Sequence, residues 1–339
     1  MEKLIYVDDS LPGISRKRAG KGWAYYDASG VLIRNAREKR RLNAIALPPA
    51  YRDAWFCPAD NGHILATGYD DAGRKQYRYH PDFRAQREGA KYDACIAFAK
   101  RLPLIRKRVE EDLSARGVPR ETALAAVVRL LDLSAIRIGN EQYAKSNESY
   151  GATTLRADHA EVGRKRLVLH FTGKSGKDHD IAVEDPDLAA AVRRMESLVE
   201  EGEDHLFRYE DDSGEVRPVT SADVNAYLRE TMGDDFSAKH FRTFHASSLA
   251  FEKLADGPGQ IKLKEMLEHV SDRLGNTPAI ARSSYVHPAV IAQIDGQEDW
   301  RKSLKLPRQT RWLTRAERGL IAFLEGCGSA SEYLAAEQA

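Results

Sequence analysis

Arg166-Leu167-Val168-Leu169-His170-Phe171-Thr172-Gly173-Lys174-Ser175-Gly176-Lys177-Asp178-His179-Asp180-Ile181-Ala182-Val183 decides the fold class. Two runs rich in β-branched and aromatic residues flank a Gly173–Gly176 turn, the mark of a hairpin whose tip carries Lys174. The hairpin belongs to a β island over residues 153–183 in an otherwise helical stretch. Before it, Tyr92, Cys95, Ile96, Phe98, Ala99 and Leu102 recur at helical spacing, and so do Leu124, Val127, Val128, Leu130 and Leu131. Helices resume after Asp187. The acidic stretch near 200–215, with Ser213-Gly214, reads as a loop.

Further out, the first 88 residues change character. Gly22-Trp23-Ala24-Tyr25-Tyr26, Val31-Leu32-Ile33 and His63-Ile64-Leu65-Ala66-Thr67 are short strand candidates between turn signals such as Asp27-Ala28-Ser29-Gly30 and Pro48-Pro49. Asn61-Gly62 reads as a hairpin turn between Trp55-Phe56 and Ile64-Leu65. The expected class is α+β, with a small β-rich domain over 1–88 and a larger, mainly α-helical domain with a β-hairpin over 89–339. A chain of 339 residues is long for one core, which agrees with two domains.

Composition narrows the function classes. Hydrophobic residues at 42% and charged residues at 30% describe a globular protein with no apolar run of membrane-spanning length and no secretory leader. Cys57, Cys95 and Cys327 have no metal-ligand spacing and fit a reducing cytosol. The net charge of +1 hides segregation. Residues 16–41 carry nine cations, Arg16, Lys17, Arg18, Lys21, Arg34, Arg37, Lys39, Arg40 and Arg41, whereas residues 196–215 include Glu200, Glu201, Glu203, Asp204, Asp211 and Asp212. Such a surface can follow a phosphate backbone, and it can equally be two solvated faces.

Several segments carry chemistry. Thr277-Pro278 is a helix start, and Pro288 forces His287 out of helical geometry, so Tyr285 falls near a helix end. By itself this segment describes an ordinary core tyrosine. Arg137 lies among Ile136, Ile138 and Gly139 and needs a phosphate, or an ion pair with Asp132 or Glu141. Ser237 is placed to cap the helix on which Lys239 and Arg242, three apart, share a face. Gly173-Lys174-Ser175 looks like the end of a phosphate-binding P-loop, but that motif needs a glycine where Val168 stands and a helix where a strand follows. In Arg74-Lys75-Gln76-Tyr77-Arg78-Tyr79, period 2 puts Gln76 and Arg78 on one strand face and Tyr77 and Tyr79 on the other. No His, Cys, Asp and Glu cluster has metal spacing.

With Arg137, Lys174, Lys239-x-x-Arg242, Asn276 and Tyr285 in this order, the chain resembles the poxvirus-like bacterial DNA topoisomerases of type IB over nearly its whole length. Gln76-Tyr77-Arg78-Tyr79, Arg137-Ile138-Gly139 with Tyr143 and Asn147–Leu155, Phe171-x-Gly173-Lys174, Lys239-x-x-Arg242-Thr243 and Gly275-Asn276-Thr277-Pro278 carry the likeness. It implies a C-shaped clamp around double-stranded DNA. Tyr285 would attack a phosphodiester to give a 3′-phosphotyrosyl link, and religation would reverse the step. It further implies that Arg137, Arg242 and Asn276 stabilise the phosphorane, that Lys174 is the general acid, and that Lys239 supports them. Gln76, Tyr77, Arg78, Tyr79, Tyr143, Lys145 and Lys177 are the DNA-binding candidates. The expected enzyme uses no cofactor, metal or nucleotide, contacts no membrane, and acts as a monomer in the nucleoid-associated cytoplasm.

Two departures from the poxvirus pattern stand out. Asn276 replaces a histidine, and Asn140 and Gln142 replace lysines, so a different cleavage preference is expected. A tyrosine recombinase shares this chemistry but usually has His where Lys239 stands, and His or Trp where Asn276 stands. A catalytically dead architectural DNA-binding protein is the third reading, against which every catalytic residue type is present.

Overall fold

The computed structural model describes residues 3–198, 204–233 and 235–338. The chain folds into two compact units, Met1–Ala90 and Lys91–Ala339. The acidic residues Glu200, Glu201 and Glu203 lie outside the described residues.

In the first unit, β1 (Ile14–Ala19), β2 (Gly22–Tyr26), β3 (Arg52–Phe56), β4 (Ile64–Tyr69) and β5 (Lys75–Tyr79) form one antiparallel sheet in the order β2-β1-β3-β4-β5. The helix α1 (Ala36–Ala44) covers it. Leu42 of α1 joins Ile14, Tyr25, Leu47, Phe56 and Ala66 in the core. α1 starts where Asn35 accepts hydrogen bonds from the Arg37 and Glu38 amides. The reading of this region as strands and turns missed α1, because its single buried leucine amid five basic and acidic residues gives almost no apolar stripe.

One turn expectation and one strand expectation are corrected. β3 and β4 do pair, but residues 57–63 connect them, so Asn61-Gly62 is not a tight hairpin turn. Instead Gly62 bridges to Ile5, and the Asn61 carbonyl accepts the Ile5 N–H at 3.0 Å. A Cβ on Gly62 would stand 2.5 Å from the Cys57 sulfur, so close packing explains that glycine. Val31-Leu32-Ile33 makes only an isolated bridge between Leu32 and Tyr26.

In chain order the second unit continues through α2 (Pro81–Leu113, which begins in the first unit), α3 (Arg120–Ser134) and α4 (Glu141–Asn147) to a three-stranded sheet. Its strands, β6 (Ala160–Val162), β7 (Arg166–Gly173) and β8 (Lys177–Glu184), are antiparallel in sequence order. Then follow α5 (Pro186–Glu196), β9 (Arg208–Glu210), β10 (Val216–Pro218), α6 (Ser221–Met232), α7 (Lys239–Asp256), α8 (Leu263–Leu274), α9 (Pro278–Ser284), α10 (Pro288–Ile291), α11 (Gln297–Ser303), α12 (Arg315–Glu325) and α13 (Ala330–Gln338). β9 and β10 pair across Asp211–Gly214. The acidic stretch is therefore a hairpin in part, with the Asp211 carboxylate accepting the Ser213 and Glu215 amides in the turn.

One core runs through this unit, from Phe98 and Leu102 on α2 through α3 to Phe241, Phe244 and Phe251 on α7. α3 and α7 are buried almost throughout, as befits central helices. A buried ion cluster ties four helices together. Arg106 of α2 pairs with Asp132 of α3 at 2.7 Å and with Glu317 of α12 at 2.6 Å, and His245 of α7 reaches Asp132 at 2.9 Å. Asp132 is thereby committed, and Glu141 pairs with His205 at 2.7 Å. Neither is the partner of Arg137 that the sequence allowed.

Candidate active site

Tyr285 closes α9. Thr277 caps the helix by accepting the Ile280 amide at 3.3 Å, Pro278 takes the first helical position, and Tyr285 is the C-cap at φ −134°. Two residues on, His287 caps α10 through its side chain. Ser247 of α7 holds the intervening backbone: its hydroxyl lies 3.3 Å from the Tyr285 carbonyl and accepts the His287 N–H at 3.0 Å. The backbone is thus held at both ends of the three-residue break, Tyr285 to His287, between the two helices.

Arg137 follows the end of α3, where Ala135 adopts φ +54° and stops the helix. The chain then runs extended against residues 151–154, with the Arg137 carbonyl accepting the Ala152 N–H at 2.8 Å and the Ile138 carbonyl accepting the Thr153 N–H at 2.7 Å. A Cβ on Gly151 would lie 2.6 Å from the Arg137 carbonyl oxygen and 2.6 Å from the Gly139 nitrogen. Gly139 itself has φ +95°. Glycine at both positions lets two backbones touch, and that contact sets where Arg137 emerges.

Arg242 projects from α7 into the interior and is only 4% exposed. Its two terminal nitrogens donate to the Ala135 and Leu274 carbonyls, and among the described residues no carboxylate pairs with it. The guanidinium carbon lies 4.7 Å from the Tyr285 ring centre. Burial pushes the Arg242 pKa down, and Arg137 adds to that push while Tyr285 opposes it. Burial acts to raise the Tyr285 pKa. Arg242 and Arg137, by charge and hydrogen bonding, outweigh it, and the phenol is shifted to the acidic side of its usual range.

Asn276 stands between α8 and α9, just after Gly275 at φ +62°, with its N–H on the Ser271 carbonyl at 3.1 Å. Both polar atoms of its amide side chain are buried and have no partner among the described residues, and the same is true of Arg242 Nε. Unpaired buried polar atoms cost free energy, so their gathering beside a phenol and two guanidiniums marks a place for an acceptor-rich ligand.

The structure therefore brings together Tyr285, Arg137 and Arg242, with Asn276 on the turn whose Leu274 carbonyl holds Arg242. It does not bring in the two lysines. Lys174 is exposed at the tip between β7 and β8, where Ser175 and Gly176 take φ +66° and +71°. Lys239 is exposed at the first turn of α7. Ser237 is not the cap of that helix: Ala238 occupies the N-cap, and the Ser237 amide donates to the His240 ring at 3.0 Å.

Of the DNA-binding candidates, Tyr77 and Tyr79 stack at 5.7 Å on one face of β5. On the other face Gln76 bonds to Asp70 at 3.0 Å and Arg78 to the Ala46 carbonyl at 3.2 Å. Tyr143 and Lys145 are exposed on α4, and Lys177 is exposed at the start of β8. Among the described residues no group of three or more His, Cys, Asp or Glu is placed to hold a metal ion, and no helix is long and apolar enough to cross a membrane.

The sequence reading passed over His179. Its ring stacks on Phe171 at 4.9 Å, and burial, then Arg137, Lys177 and Arg242, lower its pKa. The signal was present: on β8 the period of two puts His179 with Ile181 and Val183 on the inward face.

Comparison with known proteins shows the family. Residues 80–295 match the family described as eukaryotic DNA topoisomerase I, catalytic core, and residues 22–70 match the bacterial DNA topoisomerase IB N-terminal domain. DNA topoisomerase 1B of Acanthamoeba polyphaga mimivirus is 28% identical over 290 residues, 81% of this chain and 85% of that one. DNA topoisomerase 1B of vaccinia virus (strain Copenhagen) is 20% identical over 68% of this chain and 72% of its own length. A solved structure of the XerH site-specific recombinase bound to palindromic difH substrate overlays with a TM-score of 0.38 and 16% identity, over 58% of this chain and 51% of that one. Since the catalytic-core match alone takes in well over half of the 339 residues, the chain belongs to the DNA topoisomerase I family, in its type IB branch with the bacterial form of the small domain.

Proposed function

We propose that the chain relaxes supercoiled duplex DNA with Tyr285 as nucleophile. The observation that carries this is the convergence of Arg137 and Arg242 on the Tyr285 phenol, beside buried Asn276 and Arg242 atoms with no partner among the described residues. The phenol oxygen attacks a backbone phosphorus, the P–O bond to the 5′ oxygen breaks, and a 3′-phosphotyrosyl ester forms. Lowering the phenol pKa raises the fraction available as phenoxide. Arg137, Arg242 and Asn276 face the non-bridging oxygens, where charge develops in the pentacoordinate state.

The departing 5′ oxygen needs a proton. Lys174, exposed on its hairpin tip, is the proposed general acid, and Lys239 a supporting cation. The ester conserves the energy of the broken bond, so religation by the 5′ hydroxyl needs no ATP and relaxation proceeds in EDTA. Gln76, Tyr77, Arg78 and Tyr79, with Tyr143, Lys145 and Lys177, are the proposed duplex contacts. The stacked tyrosine pair offers rings to base edges or sugars. The Met1–Ala90 unit is then a DNA-binding domain and the Lys91–Ala339 unit a catalytic one, acting as a monomer in the nucleoid-associated cytoplasm.

Tyr285→Phe tests the assignment. The variant should bind duplex DNA as the wild type does, since one hydroxyl adds little to many phosphate contacts. It should relax no plasmid and form no covalent adduct. A 3′-linked adduct mapped to another tyrosine, such as Tyr143 or Tyr227, would remove Tyr285 from this role.

A further inference from the structure

We propose that His179 is a positioning residue for strand cleavage, a wedge that registers the Lys174 hairpin against the turn bearing Asn276. The inference rests on the reading of Tyr285, Lys174 and Asn276 given above.

The contacts are unusually close for a residue with no bond to either partner. His179 lies opposite Phe171 in the β7–β8 ladder, and the two rings stack 13° from parallel. One edge of the imidazole runs over Gly173, where a Cβ would meet its Cδ2 and Nε2 at 2.7 Å. The opposite edge reaches the other structural element. A Cβ on Gly275 would stand 2.2 Å from His179 Cε1 and 2.9 Å from Nδ1. His179 thus touches the residue before Lys174 and the residue before Asn276. Among the described residues its ring nitrogens have no hydrogen-bond partner, so shape does the coupling.

Burial, then Arg137, Lys177 and Arg242, push its pKa down, which favours the neutral ring beside those cations. A planar, neutral side chain can press on a glycine turn without competing for the phosphate. Gly275 has φ +62°, so it supplies both the left-handed backbone that ends α8 and the bare surface the ring needs. Lys174 gains its place over the 5′ oxygen from a hairpin whose inner face is braced at this point. Removing the brace leaves each catalytic group intact but frees one set from the other.

A double-mutant cycle reads this coupling. His179→Ala should slow single-turnover cleavage by about 10- to 100-fold, the cost of a roughly 1 Å misplacement of a reacting group. Its affinity for duplex DNA should stay within about twofold, because phosphate contacts elsewhere set affinity. Gly275→Ala should also be slow, since its methyl collides with the ring and a side chain at φ +62° adds strain that the double variant keeps. In the double variant that methyl enters the space the imidazole leaves, so the double should be no slower than the slower single. Multiplying effects would overturn the wedge, as would wild-type cleavage by His179→Ala or an equal loss of affinity and rate. Should His179→Ala fail to fold, His179→Phe keeps a planar ring on Phe171. Cleavage close to wild type supports a wedge, whereas a folded but slow Phe variant would assign the role to the ring nitrogens and overturn it. Wild-type protein that forms no adduct through Tyr285 would defeat the reading of the site and the wedge with it. Wild-type adduct formation with additive variants defeats the wedge alone.

Discussion

Arg106, largely buried, and Arg242, fully buried, both lie in the larger unit, yet their surroundings are opposite. Arg106 sits between two buried carboxylates, Asp132 and Glu317, with hydrogen bonds of 2.6 to 2.9 Å to their oxygens. Burial acts to lower its pKa, and the two carboxylates more than reverse that. Arg242 has backbone carbonyls, a phenol and the like-charged Arg137, and its Nε has no partner among the described residues. Burying a charge without a counter-charge costs several kcal/mol. The first arginine is matched by carboxylates, and the second, on the function proposed above, is the one that meets a phosphate.

The largest effect should separate them by function. Arg242→Ala should slow cleavage by about 10³- to 10⁵-fold, the range for an arginine that stabilises a transferring phosphoryl group. Its stability should stay within about 1 kcal/mol of wild type, because an uncompensated buried charge leaves with it. A strongly destabilised Arg242→Ala, seen by denaturant unfolding, would make this arginine a structural one. Arg106→Ala should show the reverse. It strands two buried carboxylates and should cost about 3–5 kcal/mol, while the folded fraction cleaves near the wild-type rate. Equal stabilities for the two variants would dissolve the contrast.

Asn276 sharpens the same point with a neutral group. Its amide is buried and has no partner among the described residues, so Asn276→Ala should leave stability unchanged or slightly raised. Cleavage should fall by roughly one to three orders of magnitude. Asn276→His should keep much of the rate, since a ring nitrogen can donate to the same oxygen. An Ala variant that cleaves at the wild-type rate would take Asn276 out of the site.

The contrast also explains what could be read from sequence. Periodicity exposed the β7–β8 hairpin and the helices beside it, because alternation and the 3.6-residue period are local. The break at Tyr285 was equally local, set by Thr277, Pro278 and Pro288. Partners were not legible. Arg137 stood as open between phosphate and Asp132 because nothing local shows that Arg106 and His245 already hold that carboxylate. Ser237 lost the cap on α7 to its neighbour because propensity does not decide which residue the chain turns at. His179 went unremarked since a histidine on an apolar strand face resembles any satisfied core residue. What makes it notable is Gly275, distant in sequence and adjacent in space.

His287 tests the contrast from a third side, at the smallest scale. It is 2% exposed, packs its ring 5.5 Å from that of Tyr92, and uses Nδ1 to accept the Ala289 amide. Where Arg242 keeps its charge, this group gives its charge up: burial lowers its pKa to about 4, against a weaker opposing pull from Asp93. The sign follows directly. The folded state favours the neutral ring, so the contribution to stability is complete above the unfolded value of about 6.5 and is lost as pH falls toward 4. The loss should be about 2–3 kcal/mol over that window. His287→Asn keeps a capping acceptor and removes the titration. It should start less stable at pH 7 because the ring packing on Tyr92 is gone, and the gap should then close as pH falls. Parallel stability curves between pH 7 and 4 would mean that His287 can take up its proton without leaving its pocket. Buried cationic groups here would then not divide into those matched by a carboxylate and those awaiting an anion or forgoing charge.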